Sequence, residues 1–283
     1  MLRTSDQALG LRSARELPPS DTPRVGRPHR LATRTIAVTS GKGGVGKTQL
    51  SANLAVAMAG RGLRVALLDA DLGLASLDLA LGVRPGTDLV AVMRGDVELD
   101  EILVDVCPGL KLIPACPGRY EMANMSTCDR MRLLNLIDGI AGRFDAIVID
   151  TGAGIGSNAV GFASVADDVL LVTTQDPTSL RDAYAMAKVL YRRTGVEQIQ
   201  VISNQVGSEH DGLAVYERLE GIVRKFLGLD LNYLGAVPSD PWVGRAVLSG
   251  QPYILGAPSS VAARATERVA GRLCDLSRPE ELC

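Results

Sequence analysis

Two lysines within one glycine-rich run carry most of the chemical information in this chain. Residues 40–48 read Ser-Gly-Lys-Gly-Gly-Val-Gly-Lys-Thr. Gly41, Gly46, Lys47 and Thr48 meet the spacing Gly-x-x-x-x-Gly-Lys-Thr of a phosphate-binding loop. The run follows the β-branched stretch Thr35-Ile36-Ala37-Val38-Thr39 and precedes Leu50, Leu54, Ala55, Ala57 and Met58 at helical spacing. A strand, a loop and a helix N-terminus are therefore expected in that order. The free N–H groups and dipole of the helix would favour phosphate, while Gly41, Gly43, Gly44 and Gly46 let backbone approach a ligand or take φ > 0. Lys47 would reach the β- and γ-phosphates and the Thr48 hydroxyl would coordinate Mg²⁺, with Val45 and Gln49 completing the segment around the nucleotide. The competing reading is a strand-to-helix turn that binds nothing, and the coincidence of strand, glycines, lysine, threonine and helix argues against it.

Two acidic strand ends extend the site. Arg64-Val65-Ala66-Leu67-Leu68-Asp69-Ala70-Asp71 is an apolar strand closing in two carboxylates, and such ends face the ligand crevice of an open α/β sheet. These acids could instead cap the following helix, a role also open to Asp78. Ala146-Ile147-Val148-Ile149-Asp150 is a second such strand, suited to a parallel sheet buried on both faces. As the partner of a phosphate loop, Asp150 is expected to hold Mg²⁺ through water. The small residues of 151–156 would form a loop beside the γ-phosphate that moves when it leaves.

The elements that must position these groups alternate regularly. Strands are expected near 35–40, 64–70, 110–115, 145–150, 168–174, 199–204 and 233–238, with helix-like intervals clearest in 180–191 and 215–226. That alternation predicts an α/β chain with a doubly wound, mainly parallel sheet, forming one domain over 35–276 with tails at 1–34 and 277–283. The 283 residues, 46% apolar and 22% charged, can bury one large core. A net charge of −2 gives no basic bias, so non-specific nucleic-acid binding is not expected. Cysteines at 107, 116, 128, 274 and 283 contain no Cys-x-x-Cys pair, so neither a disulfide scaffold nor a zinc site is indicated. No stretch reaches the roughly 20 apolar residues that cross a bilayer, and no hydrophobic signal core opens the chain. A cytoplasmic location is expected, with the inner face of the plasma membrane as an additional place of action.

Residues 1–34 differ in composition. Pro18, Pro19, Pro23 and Pro28 stand among arginines, with few large apolar residues after Leu17, which reads as a flexible tail. Within it Ser5 can cap a short helix over 5–16 that folds on docking to a partner.

Lys42, at the second position of the glycine-rich run, resembles the signature lysine of the deviant Walker A ATPases, the MinD/ParA group. In that group this lysine crosses a dimer interface to the nucleotide of the partner subunit, so the resemblance implies an ATP-dependent homodimer with Lys42 catalytic alongside Lys47. A solvated surface lysine is the plainer alternative. Asp71-Leu72-Gly73 resembles the group's switch segment, which implies that Asp71 orients the attacking water and that Asp69 lies near the metal. The resemblance also implies that Asn204, at the end of Gln200-Val201-Ile202-Ser203-Asn204, contacts adenine, with Pro238 and Asp240 against the base. Asn204 as a strand-end turn residue is the alternative.

The similarity sharpens at the start of the chain. Asp6-Gln7-Ala8-x-x-Leu11-Arg12 resembles the activator helix of the FlhG/FleN family of flagellar-number ATPases. Asp71-Leu72-Gly73-Leu74-Ala75, Ile113-Pro114-Ala115, Asp150-Thr151-Gly152-Ala153-Gly154-Ile155 and Pro177-Thr178-Ser179 resemble the same family. That implies ATP and Mg²⁺ as cofactors, slow hydrolysis, and docking of residues 5–16 on FlhF, a signal-recognition-type GTPase, with other flagellar components as further partners. Two departures stand out. Gln175-Asp176 replaces the family's usual Pro-Glu before Pro177-Thr178-Ser179. The ending Ser277-Arg278-Pro279-Glu280-Glu281-Leu282-Cys283 lacks the apolar and basic faces of a membrane-surface helix, and the stripe Val261, Ala265, Val269, Leu273 is expected to pack on the sheet. Rival readings are a generic ParA-type cargo positioner, which needs a basic DNA-binding face, and an ATP-dependent synthase, which needs an acceptor pocket.

Overall fold

The computed structural model describes residues 33–276 apart from 116, 117 and 119. The activator segment 5–16 and the ending 277–283 lie outside the described residues. Thr33 is buried, its hydroxyl donating to the Phe144 carbonyl at 2.8 Å, and Arg34 already belongs to the first strand.

The chain runs β1 (Arg34–Ser40), α1 (Lys47–Gly60), β2 (Val65–Ala70), α2 (Leu77–Leu81), α3 (Leu89–Arg94), a 3₁₀ turn (Leu99–Ile102), β3 (Val104–Cys107), β4 (Leu110–Ile113), α4 (Tyr120–Ala123) and α5 (Thr127–Ala141). It continues through β5 (Ala146–Ala153), α6 (Ser157–Val165), β6 (Asp168–Thr173), α7 (Pro177–Val189), a π-helical turn (Leu190–Thr194) and β7 (Ile199–Val206). It closes with α8 (Glu209–Leu227), β8 (Asn232–Pro238), α9 (Pro241–Ser249), α10 (Tyr253–Gly256) and α11 (Val261–Asp275).

The eight strands form one sheet in the order β3-β4-β2-β5-β1-β6-β7-β8, parallel throughout except for the β3–β4 pair. Alternation along each strand feeds two helical layers. From β1, Ile36 and Val38 face the layer of α1 and α11, while Ala37 faces the layer of α6, α7 and α8. From β2 and β5, Ala66, Leu68, Ile147 and Ile149 face α3 and α5, and Leu67 and Val148 face α1. Burial on both faces is the reason these strands read as continuous apolar runs.

The structure corrects the sequence reading in several places. The strand β3 was not expected: it is a four-residue antiparallel edge, mostly half-exposed, joined to β4 by Pro108-Gly109 with Gly109 at φ +84. The loop expected over 151–156 shrinks to 154–156, because β5 sits between β1 and β2 and stays paired through Thr151 with Ala70 and through Ala153 with Ser40. In the stripe on α11, Ala265, Val269 and Leu273 are buried as expected, whereas Val261 in the first turn is about half exposed. The segment expected as a helix over 215–226 starts earlier, at Glu209, because the Ser208 hydroxyl caps it by accepting from Asp211 N–H.

Candidate nucleotide site

The candidate nucleotide-site residues between 41 and 240 cluster at or just beyond the C-terminal ends of the parallel strands, where an α/β sheet opens its crevice. The phosphate loop joins β1 to α1. Gly44 and Gly46 hold φ +81 and +80, and Gly46 is the N-cap of α1 with no side chain capping the helix. The helix end is thus open to an anion. Gly41 serves a different need: a Cβ there would lie 2.0 Å from the Asp182 carbonyl oxygen, so the loop begins directly against the backbone of α7. Gly43 meets neither constraint, its nearest neighbour being Ala153 Cβ at 4.0 Å.

The two lysines of the loop point to different places. Lys47 is buried and its Nζ lies 3.1 Å from Asp150 Oδ1. Ser51, one turn further along α1, donates its hydroxyl to the same oxygen at 2.9 Å. Asp150 Oδ2 is buried and has no hydrogen-bond partner. An orphaned carboxylate oxygen beside an anion-seeking helix end and the half-buried Thr48 is the donor set a hydrated magnesium ion requires. Lys42 instead points outward, its Nζ 2.7 Å from Asp176 Oδ2 and 2.6 Å from Thr178 Oγ1 at the start of α7.

Asp69 pairs in register with Asp150 on the neighbouring strand and is almost fully buried. Burial, reinforced by the Asp150 charge, pushes its carboxyl up to about 7 against the opposing pull of three backbone N–H donors. Those donors are Leu77 and Ser76 at 3.0 and 2.9 Å and Asp71 at 3.2 Å. Asp69 therefore ties down the segment 71–77 and reaches the N–H groups at the start of α2, whose N-cap is Ser76 and whose first turn holds Asp78. The Asp71 backbone is held by that anchor, while its half-buried carboxylate faces Gly152. Gly154 N–H donates to the Ser40 carbonyl at 2.8 Å, bringing the 154–156 loop beside the phosphate loop.

Asn204, Pro238 and Asp240 line one cleft of about 240 Å³ together with Gly46, Gln49 and Gly244. The Asn204 and Asp240 side chains also make hydrogen bonds of their own. Asn204 Nδ2 donates to the Val45 carbonyl at 2.7 Å, so it braces the phosphate loop. The Asp240 carboxylate accepts from Trp242 N–H at 2.9 Å and Ala262 N–H at 3.1 Å, capping α9 and tying it to α11. Burial works to raise the Asp240 carboxyl, yet these N–H donors hold it below its ordinary value. Gln205, next along β7, takes φ 55 and sends Nε2 to within 3.3 Å of the Gly44 carbonyl.

Sequence reasoning missed Ser51, Asp176, Thr178 and Gln205. Ser51 was findable, being four residues from Lys47 on the inner face of α1. Asp176 is 134 residues from Lys42, and no spacing rule joins them.

The family model for the CobQ/CobB/MinD/ParA nucleotide binding domain matches residues 36–253, spanning the loop, both acidic strand ends and the cleft. The chain belongs to the MinD/ParA family. Among curated relatives, the "Antiactivator FleN" of Pseudomonas aeruginosa is 40% identical over 240 residues, covering 85% of this chain and 86% of that protein. The "Flagellum site-determining protein YlxH" of Helicobacter pylori is 36% identical over 242 residues, covering 85% and 82%. Among solved structures, the septum site-determining protein MinD of Pyrococcus horikoshii in complex with Mg-ADP superposes with a TM-score of 0.74 at 30% identity, covering 87% of this chain and 97% of that one. The chain is thus a MinD-like P-loop ATPase with the nucleotide-binding domain of that family. Among the described residues no helix is long and apolar enough to cross a membrane.

Proposed function

We propose that this ATPase regulates flagellar number or placement as a switch that dimerises around ATP, as its similarity to FleN and YlxH supports. The observation that carries the switch reading is the opposite aim of the two loop lysines: Lys47 is buried on Asp150, while Lys42 stands on the outer wall of an open cleft. An inward lysine serves its own phosphates. In our reading the outward one serves a nucleotide held by a second copy.

In this reading the loop N–H groups and Lys47 bind the β- and γ-phosphates, and Lys47 gives up or shares its contact with Asp150. Thr48, Asp150 and Asp69 would hold a hydrated magnesium ion. The ion, when bound, offsets charge on the phosphate oxygens. Asp71, its backbone fixed by Asp69 and its carboxylate turned toward Gly152, orients a water toward the γ-phosphate. Asn204 keeps Val45 in place while the base enters the cleft against Pro238, and Asp240 shapes that cleft through α9. Lys42 from each protomer then adds charge to the other site, an in-trans contribution that can be worth about 10³ to 10⁵ in rate.

Residues 5–16 dock on an FlhF-type GTPase and stimulate it, a reading that rests on their resemblance to an activator helix. Deleting them should abolish stimulation of such a GTPase while ATP hydrolysis by the remaining chain persists. Equal stimulation without them would remove the activator role.

A further inference from the structure

Lys42 occupies a place that is unfavourable for a cation. It lies at the N-terminus of the 13-residue helix α7, where the helix dipole repels positive charge, and Arg218 lines the same cleft. What holds it there is Asp176. One oxygen of this carboxylate accepts from Thr178 N–H at 2.8 Å as the N-cap of α7, and the other takes the Lys42 ammonium at 2.7 Å. The Thr178 hydroxyl, 2.6 Å away, accepts a second ammonium proton. Aspartate is suited to this double duty. Its short side chain reaches back to the second residue of the helix while its other oxygen stays free, a capping geometry that glutamate seldom adopts. The loop cannot drift from α7 either, because Gly41 is packed on the Asp182 carbonyl.

We propose that Asp176, with Thr178, is the resting partner of Lys42: a positioning residue that keeps the lysine on its own protomer and must release it before dimerisation. The proposal rests on the reading that Lys42 crosses to a second copy. A single ammonium cannot satisfy Asp176, Thr178 and a distant γ-phosphate at once, so each closed dimer breaks two such tethers. Asp176 therefore opposes closure and raises the nucleotide and protein concentration at which the switch turns on.

The test is Asp176→Asn, which keeps a good capping side chain and removes the charge. Dimerisation of the full chain is followed by sedimentation velocity with the magnesium complex of adenylyl imidodiphosphate. Exposed ion pairs are individually weak, so the dimer Kd should fall by roughly two- to fivefold. Thr178→Val should move it the same way by less. In a Lys42→Ala background, where no dimer is expected, Asp176→Asn should not restore one, because its effect runs through Lys42. An unchanged or weaker dimer for Asp176→Asn beside a wild type that dimerises would overturn the tether and leave the switch standing. An effect that persists without Lys42 would overturn it as well. A wild type that stays monomeric would sink both.

Discussion

The four glycines of the phosphate loop look equivalent in the sequence, yet the structure asks four different things of them, and alanine at each position should separate them. At Gly43 an added Cβ has no neighbour closer than 4.0 Å and φ is not in the left-handed region, so Gly43→Ala should be within about 0.5 kcal/mol of wild type. At Gly44 nothing lies within 4 Å, but φ is +81, so the cost is the left-handed strain alone, about 1–2 kcal/mol. Gly46 adds to the same strain a contact of 2.5 Å with Asn204 Nδ2, which must give up the Val45 carbonyl to make room. A cost of about 2–4 kcal/mol follows, from strain plus a lost buried hydrogen bond. Gly41→Ala meets the Asp182 carbonyl oxygen at 2.0 Å and its carbon at 2.1 Å, both backbone atoms of a packed helix that no rotamer change can move. Overpacking of this kind costs about 3 kcal/mol or more. For a chain of this size that is a fall of roughly 6–12 °C in Tm. Thermal unfolding of the four nucleotide-free variants would read the order Gly43, Gly44, Gly46, Gly41. Binding of a fluorescent ADP analogue should weaken most in the last two. A Gly41→Ala protein as stable as Gly43→Ala would refute the claim that the loop is seated on the α7 backbone.

Two further outcomes follow from the same coordinates. The Lys42 ammonium, helped by the Thr178 N–H and hydroxyl, holds the Asp176 carboxyl down to about 2, below the ordinary value near 3.9. Because the folded value is the lower one, its stabilising contribution is present above about pH 4 and lost only as pH falls through about 2. A carbon-detected NMR titration of Asp176 should find its midpoint near 2 and see it rise toward 3.9 in Lys42→Ala; an ordinary midpoint in the wild type would mean that the pair does not form. In the core, the Tyr253 hydroxyl pairs with Thr266 Oγ1 at 2.8 Å, and burial pushes this phenol up to about 12. Tyr253→Phe leaves the buried Thr266 hydroxyl without that partner and should cost about 1–3 kcal/mol in urea unfolding without nucleotide, whereas an unchanged midpoint would contradict the pairing.

What could be read from the residues alone was what depends on local pattern. The strand, the glycines, Lys47 and the first turns of α1 are contiguous, and the central strands are buried on both faces, so their apolar runs stand out. The edge strand β3 did not, because four half-exposed residues carry no periodicity. Asp69 illustrates the other difficulty. Its identity as an acid at a strand end was plain, but that it gathers the N–H groups of Asp71, Ser76 and Leu77 depends on how the chain turns after β2. Asn204 reads from the sequence as a residue at the base, and its brace on the Val45 carbonyl, made across 159 residues, carries no local signal. Asp176 was visible only as a departure from a familiar pattern, since its partner, in the loop after the neighbouring strand β1, is 134 residues away in sequence.

The account depends most on the outward lysine serving a second copy, and the direct measurement is oligomeric state with turnover blocked. Light scattering of the Asp71→Ala chain at saturating Mg·ATP should show a dimer, and adding Lys42→Ala should return it to monomer while fluorescent-nucleotide binding persists. A chain that remains monomeric with ATP bound and uncleaved, or a dimer indifferent to Lys42, would contradict it.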